Sequence, residues 1–178
     1  YFPDFAGIDI VVNADFAGVA IGGSSWFYLD GQAKRYSFTF LPPSARNVAA
    51  HEQGHSLGLP HAGPYGPSYW NYWDVMGWAH LGSALPQEIL AYHKELLGWI
   101  PSPRIFVTPP GTSRTSIILE RGESPPQNGN YLVAHVGLPN GTGQFYSVEV
   151  KRQVGLDSLL LGEGVLIHLI DPSRPGNI

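Results

Sequence analysis

Residues 51–61 read His51-Glu52-Gln53-Gly54-His55-Ser56-Leu57-Gly58-Leu59-Pro60-His61. The pattern is H-E-x-x-H-x-x-G-x-x-H, and the reading of the chain starts from it. His51 and His55 are four residues apart, so a helix sets them on one face about 6 Å apart along its axis. Two imidazole nitrogens can then reach one metal ion at about 2.0–2.1 Å. Glu52 is badly placed to be a third ligand on that face and lies instead beside the water a metal would bind. Gly58 is expected to end the helix with positive φ, which glycine adopts at least cost. The chain then turns back and His61 can approach as third ligand. Three neutral histidines with an open fourth position describe a catalytic zinc site.

The bland reading is that these are ordinary core or surface histidines, since a bare H-E-x-x-H also arises by chance. Against it, three of the seven histidines, one Glu and one Gly fall in register on one helix and its stop. A second zinc arrangement takes its third ligand from a Glu on a later helix, where Glu88 and Glu95 qualify by type. The position of His61 just after the glycine stop favours the three-histidine set. Downstream lies Asp74-Val75-Met76-Gly77-Trp78, with the only methionine of the chain. A Met in a tight turn there would place its sulfur beneath the site as a soft, apolar floor. Simple core packing of Met76 is compatible with that role.

Composition bounds the rest. The chain has 178 residues, 43% of them hydrophobic, enough for a core of one domain or slightly more. Only 13% are charged, about half the usual share of roughly 25%. With 22 glycines, 16 prolines and many aromatics, the expectation is a folded, loop-rich domain with much strand. The net charge is −4 and no Lys/Arg block exists, which argues against nucleic-acid binding by a basic face. No apolar run is long enough to span a membrane. The absence of cysteine excludes disulfides, thiolate metal sites and cysteine nucleophiles. No signal peptide is visible and the first residue is Tyr1, so a processed, trimmed or partial chain is expected.

Residues 8–12 read as a buried strand, and 19–23 as a short strand ending in a glycine pair. Asp30-Gly31 is a turn signal, and 36–40 alternate aromatic and hydroxyl residues as a half-buried strand. Pro42-Pro43 ends it, and Ser44 is the expected N-cap of the helix that carries the motif to about Leu57. Residues 62–84 read as an ordered loop packed by its aromatics. A second helix is expected from Pro86 to about Leu97, with Gly98 as its cap and Ile89, Leu90, His93, Leu96 and Leu97 along one side. Strand candidates follow at 104–108, 115–120, 131–136, 144–151 and 164–170, with Asn140-Gly141 in a hairpin loop. A boundary at about 100–103 divides a mixed part, 1–100, from a β-rich part, 101–178. The latter is either a small sandwich or the return strands of the first part.

Together the zinc motif and the Met76 turn resemble those of metzincin zinc peptidases. Val19-Ala20-Ile21-Gly22-Gly23 upstream of Ala50-His51-Glu52 is similar to the gametolysin-like branch. Trp73-Asp74-Val75-Met76-Gly77, the helix closing on Leu97-Gly98-Trp99, and the stretches 148–153 and 164–168 resemble immune inhibitor A-like peptidases. That second group often carries Asp as third ligand where this chain has His61, which pulls toward the gametolysin-like branch. The resemblance covers most of the chain. It implies an α+β fold with a mixed twisted sheet, an active-site helix, a Met-turn and a second helix. Only 50 residues precede the zinc helix, fewer than such domains usually have, so missing upstream strands are expected.

The resemblance implies a secreted, zinc-dependent endopeptidase acting on protein or peptide substrates. Its metal ligands would be His51, His55 and His61, and Glu52 its general base. Some relatives hold the oxyanion with a Tyr two residues after the Met. Here that position is Trp78, which leaves Tyr72 and His80 as nearby candidates, and either could equally be a packed loop side chain. An extended substrate would add a strand at the 19–23 edge, which could equally be an ordinary short strand, and the Trp and Tyr residues of the loop 65–83 either line an apolar subsite or only hold the loop together. The alternatives are a catalytically silent relative that binds protein or matrix, and a non-proteolytic metal-binding module. Asp15, Asp30, Asp157 and Asp171 could hold calcium, yet none sits in a spaced calcium-loop pattern, so each reads as solvated loop. Asn140-Gly141-Thr142 is a glycosylation sequon. His93, His135 and His168 read as structural, and Glu149-Val150-Lys151 as a strand with solvated charges. Oligomeric state is not encoded in any pattern found.

Overall fold

The computed structural model describes residues 1–14, 20–43, 48–63, 71–77, 87–109, 114–123, 129–139 and 141–174. The chain is mixed α+β, with two small mixed sheets and few helices. The first sheet comprises β1 (Gly7–Val11), β2 (Ile21–Leu29) and β3 (Gln32–Leu41), in the order β1-β3-β2. β1 runs parallel to β3, and β2 pairs antiparallel with it over its whole length. The hairpin turn is Asp30-Gly31, with φ of 48° and 80°, as the turn signal in the sequence led one to expect. The glycine pair of 22–23 opens β2 rather than ending a strand. Val19 and Asp15 lie outside the described residues.

Glycine at position 22 has a packing reason. A Cβ there would strike the backbone of Glu52 on α1 (Ala49–Ser56). β2 therefore lies against the helix backbone itself. α1 is short, has Val48 as N-cap and receives no side-chain cap, so packing rather than propensity holds it. The helix starts later than Ser44 suggested, and Ser44 lies outside the described residues. At its end the Gly58 amide donates to the His55 carbonyl (2.9 Å) and the Leu59 amide to the Gly54 carbonyl (2.9 Å). Gly58 has φ 91°, which makes this a Schellman cap.

The second helix, α2 (Ala91–Leu96), is five residues shorter at its start than the sequence suggested. Pro86 lies outside the described residues, and Ile89 and Leu90 are buried but precede the helix. Leu96 is 53% exposed and does not join the buried side. Gly98 caps the helix as Gly58 caps α1, with φ 71° and bonds from Gly98 and Trp99 back to Glu95 and Lys94. Ile89 and Leu90 join Leu59, Ala62, Val75 and Met76 in one hydrophobic cluster.

The second sheet comprises β4 (Ile105–Val107), β5 (Val133–Gly137), β6 (Phe145–Lys151) and β7 (Gly164–Ile170), in that order. β4 and β5 are parallel, and the other pairs antiparallel. Residues 115–120 form no strand, only an isolated bridge from Leu119 to Tyr131. Asn140 lies outside the described residues, but the β5–β6 hairpin is present.

β6 is inside out. Glu149 and Lys151 are buried, while the apolar residues of its neighbour β7, Val165, Ile167 and Leu169, face solvent. The expectation of solvated charges at 149–151 fails because these side chains supply partners to the backbone leading into α2. Both oxygens of Glu149 accept from the Ala91 amide (3.1 Å each), and Lys151 Nζ donates to the Glu88 and Ile89 carbonyls (3.4 Å). Asp157 is likewise no solvated loop residue. It is fully buried, takes the Glu88 amide (3.1 Å) and pairs with Lys151 (3.0 Å). An extended segment cannot bond to itself, so buried side chains satisfy it.

Burial pushes the Glu149 carboxyl up to about 7, although Lys151 and the Ala91 amide pull the other way. A raised carboxyl pKa means the folded state holds its proton more tightly. This group's contribution is therefore full below pH about 4.5 and is lost as pH rises toward about 7. The gap is worth about 3 kcal/mol. Urea denaturation of Glu149→Gln should show a stability difference from wild type that shifts in favour of the variant between pH 5 and pH 8. At the β2–α1 contact, Gly22→Ala should lower the unfolding free energy by at least about 2 kcal/mol, because neither backbone can give way.

Candidate metal centre

α1, its Schellman cap and the return of the chain bring His51, His55 and His61 together. His55 Nε2 lies 3.1 Å from His51 Nε2 and 2.9 Å from His61 Nε2. All three ligand atoms fall within 4.8 Å of one another, and this is the group of metal-ligating side chains found among the described residues. It contains neither Glu88, which pairs with Lys94 (3.0 Å), nor Glu95, which pairs with His135 (2.9 Å).

The outer nitrogens fix the tautomers. His51 Nδ1 lies 2.8 Å from the Val75 carbonyl, and His55 Nδ1 lies 2.9 Å from the Leu59 carbonyl. A carbonyl only accepts, so each Nδ1 carries the hydrogen and donates it. In the neutral rings each Nε2 then presents a lone pair, and the two lone pairs face each other at 3.1 Å. No hydrogen bond can form between two such atoms, so the contact is repulsive unless a cation lies between them. Tetrahedral coordination at about 2.0–2.1 Å would put ligand nitrogens roughly 3.3 Å apart. The spacing and the donor chemistry both fit a metal ion.

Glu52 follows His51 on the same helix. Its carboxylate accepts from the Gly22 amide of β2 and interacts electrostatically with His55. Burial pushes its pKa above the ordinary carboxylate range, with His55 and that amide opposing. Beneath the site, Met76 is fully buried. A Cβ at Gly54 would collide with Met76 Sδ, so the glycine between the two helical ligands is what admits the sulfur.

The turn carrying Met76 also touches two ligand segments. The Val75 carbonyl receives His51, and the Met76 carbonyl receives the Ala62 amide (2.9 Å), next in chain to His61. Asp74 closes the turn. Its Oδ1 accepts from the Met76 amide (2.7 Å), and its backbone carbonyl from the Gly77 amide (2.9 Å). Sequence reasoning quoted Asp74 without giving it a role. The signal available was the tendency of Asp to bond the amide two residues on.

Of the oxyanion candidates, Tyr72 is 41% exposed and His80 lies outside the described residues, as does Trp78. Most of the loop 65–83 lies outside them too. Among the other histidines, His93 is fully buried, and His168 Nε2 lies 3.0 Å from Asn71 Nδ2. Burial lowers the His168 pKa, so that ring accepts from the amide in its neutral form. No described helix is long and apolar enough to cross a membrane.

No protein-family model, curated protein or solved structure matches the chain.

A divalent ion that binds the folded chain alone should raise its melting temperature in proportion to the logarithm of its concentration. Differential scanning calorimetry with zinc should show that rise in wild type. His51→Ala, His55→Ala and His61→Ala should each abolish most of it.

Proposed function

We propose that the chain is a zinc-dependent endopeptidase of metzincin type, acting on extended protein or peptide substrates. The observation that carries the reading is the convergence of three Nε2 atoms with Glu52 beside them on the same helix. His51, His55 and His61 would hold the ion and leave its remaining side open. When bound, zinc would polarise a scissile carbonyl and acidify a water toward a pKa of about 7.

The chain's own residues do the rest. Glu52 takes a proton from the attacking water and passes it to the leaving amine. Partial burial suits that role, because a carboxylate stripped of water is a stronger base. β2 is an edge strand and packs against α1 at Gly22, next to Glu52. An extended peptide adding to its outer edge would run past the carboxylate. Tyr72 is a candidate for steadying the oxyanion, as His80 is by position in sequence, and Trp78 is a candidate substrate contact. Secretion, the metzincin relationship and the absence of a nucleic-acid partner belong to the same proposal. The net charge of −4 and the lack of basic clusters support the last of these.

The test is incubation of the chain with a denatured protein, with and without a zinc chelator, beside Glu52→Ala. Products are read by mass spectrometry. Cleavage should be lost on chelation and fall by at least about 100-fold in the variant, while zinc binding persists. Absence of cleavage by a folded, zinc-loaded chain would count against the reading.

A further inference from the structure

We infer that Asp74 is a positioning residue for the metal centre, anchored by His93 on α2. The inference rests on reading the three-histidine group as a metal site. Two of the three ligand segments depend on the turn 74–77. His51 is oriented by the Val75 carbonyl, and the segment after His61 by the Met76 carbonyl. Whatever fixes that turn fixes the direction of the His51 ring.

Asp74 does so from a place without water. Both Asp74 and His93 have side chains that are 0% exposed. One carboxylate oxygen takes the Met76 amide (2.7 Å) and so sets the turn. The other lies 2.7 Å from His93 Nδ1 and takes the Leu90 amide (3.2 Å) at the start of α2. Burial alone would raise the Asp74 pKa, but His93 and the Met76 amide outweigh it and hold the carboxyl below its usual range. A charge kept in a dry interior costs free energy, which its donors must offset.

His93 Nε2 adds a second observation. It is buried with no polar partner among the described residues, whereas Nδ1 has the Asp74 carboxylate beside it as an ion-pair contact. A residue kept only to fill space would be better served there by an apolar side chain, since an unpartnered buried nitrogen is itself costly. The ring is retained for its Nδ1 side, which faces Asp74. The chain of contacts thus runs from α2 through His93 and Asp74 to the Val75 carbonyl and on to His51. It is an outer-shell support of the kind that orients metal-ligating imidazoles.

The test compares wild type, Asp74→Asn, His93→Leu and His93→Gln, each checked for folding by circular dichroism. Zinc affinity is measured by competition with a chromogenic chelator, and Co2+ is used for the visible ligand-field spectrum. Asp74→Asn and His93→Leu should bind zinc about tenfold more weakly and show an altered Co2+ band. His93→Gln keeps a donor toward Asp74 and should stay close to wild type. Wild-type affinity and spectrum in a folded His93→Leu protein would overturn the inference while leaving the metal site standing. If both disruptive variants fail to fold, the wild-type imidazole NMR spectrum decides. The His93 Nδ1–H resonance should move on adding zinc, and a resonance that stays in place would overturn the inference. A wild-type chain that takes up neither zinc nor Co2+ would remove the metal reading itself.

Discussion

Two imidazole lone pairs held 3.1 Å apart are the constraint around which the first half of the chain is arranged. Each ring has its other nitrogen committed to a carbonyl, so neither can turn away or change tautomer without giving up a buried hydrogen bond. Repulsion of this kind is tolerated in a folded protein when a cation offsets it. The contacts that hold the two rings in this relation surround them on every side named above. They include the Schellman cap at Gly58, the closeness of β2 to α1 at Gly22 and the packing of Met76 under Gly54.

The two sheets contribute to this in different ways. The first delivers α1 from the end of β3 and lays β2 along its backbone. The second does not touch the three histidines in any contact described above. It acts through the segment 88–91, whose amides and carbonyls are taken up by Glu149, Lys151 and Asp157. Leu166 of β7 also packs against the cluster that holds Met76 and Val75. Contacts between residues on either side of position 100 are thus buried and charged, and they lead to the same turn that orients His51.

The three-histidine motif was legible because its spacing is local. A four-residue interval on a helix and a glycine stop are enough to place His51, His55 and His61 near one another. Turn chemistry was legible for the same reason, at Asp30-Gly31, Gly58 and Gly98. Helix starts were not, because α1 and α2 have no side-chain caps of their own and begin where packing and distant carboxylates allow. β6 shows the limit most clearly. The strand was legible at 144–151, but strand texture alone cannot say which face is inside. Glu149 and Lys151 are buried because the 88–91 backbone needs partners, a requirement set some 60 residues upstream. Asp74 was visible as a residue type, while its bonds to two distant elements were not.

The sulfur content of the chain has a consequence for its chemistry in oxidising surroundings. There is no cysteine, and the single methionine is fully buried against Gly54. The folded chain therefore presents no thioether or thiol to solvent. Peroxide, which converts exposed methionine to its sulfoxide, has no soft target until the core beneath the histidines opens. Once formed, the sulfoxide would put a polar oxygen where Gly54 leaves room only for sulfur. Oxidation of Met76 would then hold that core open until the sulfoxide is reduced.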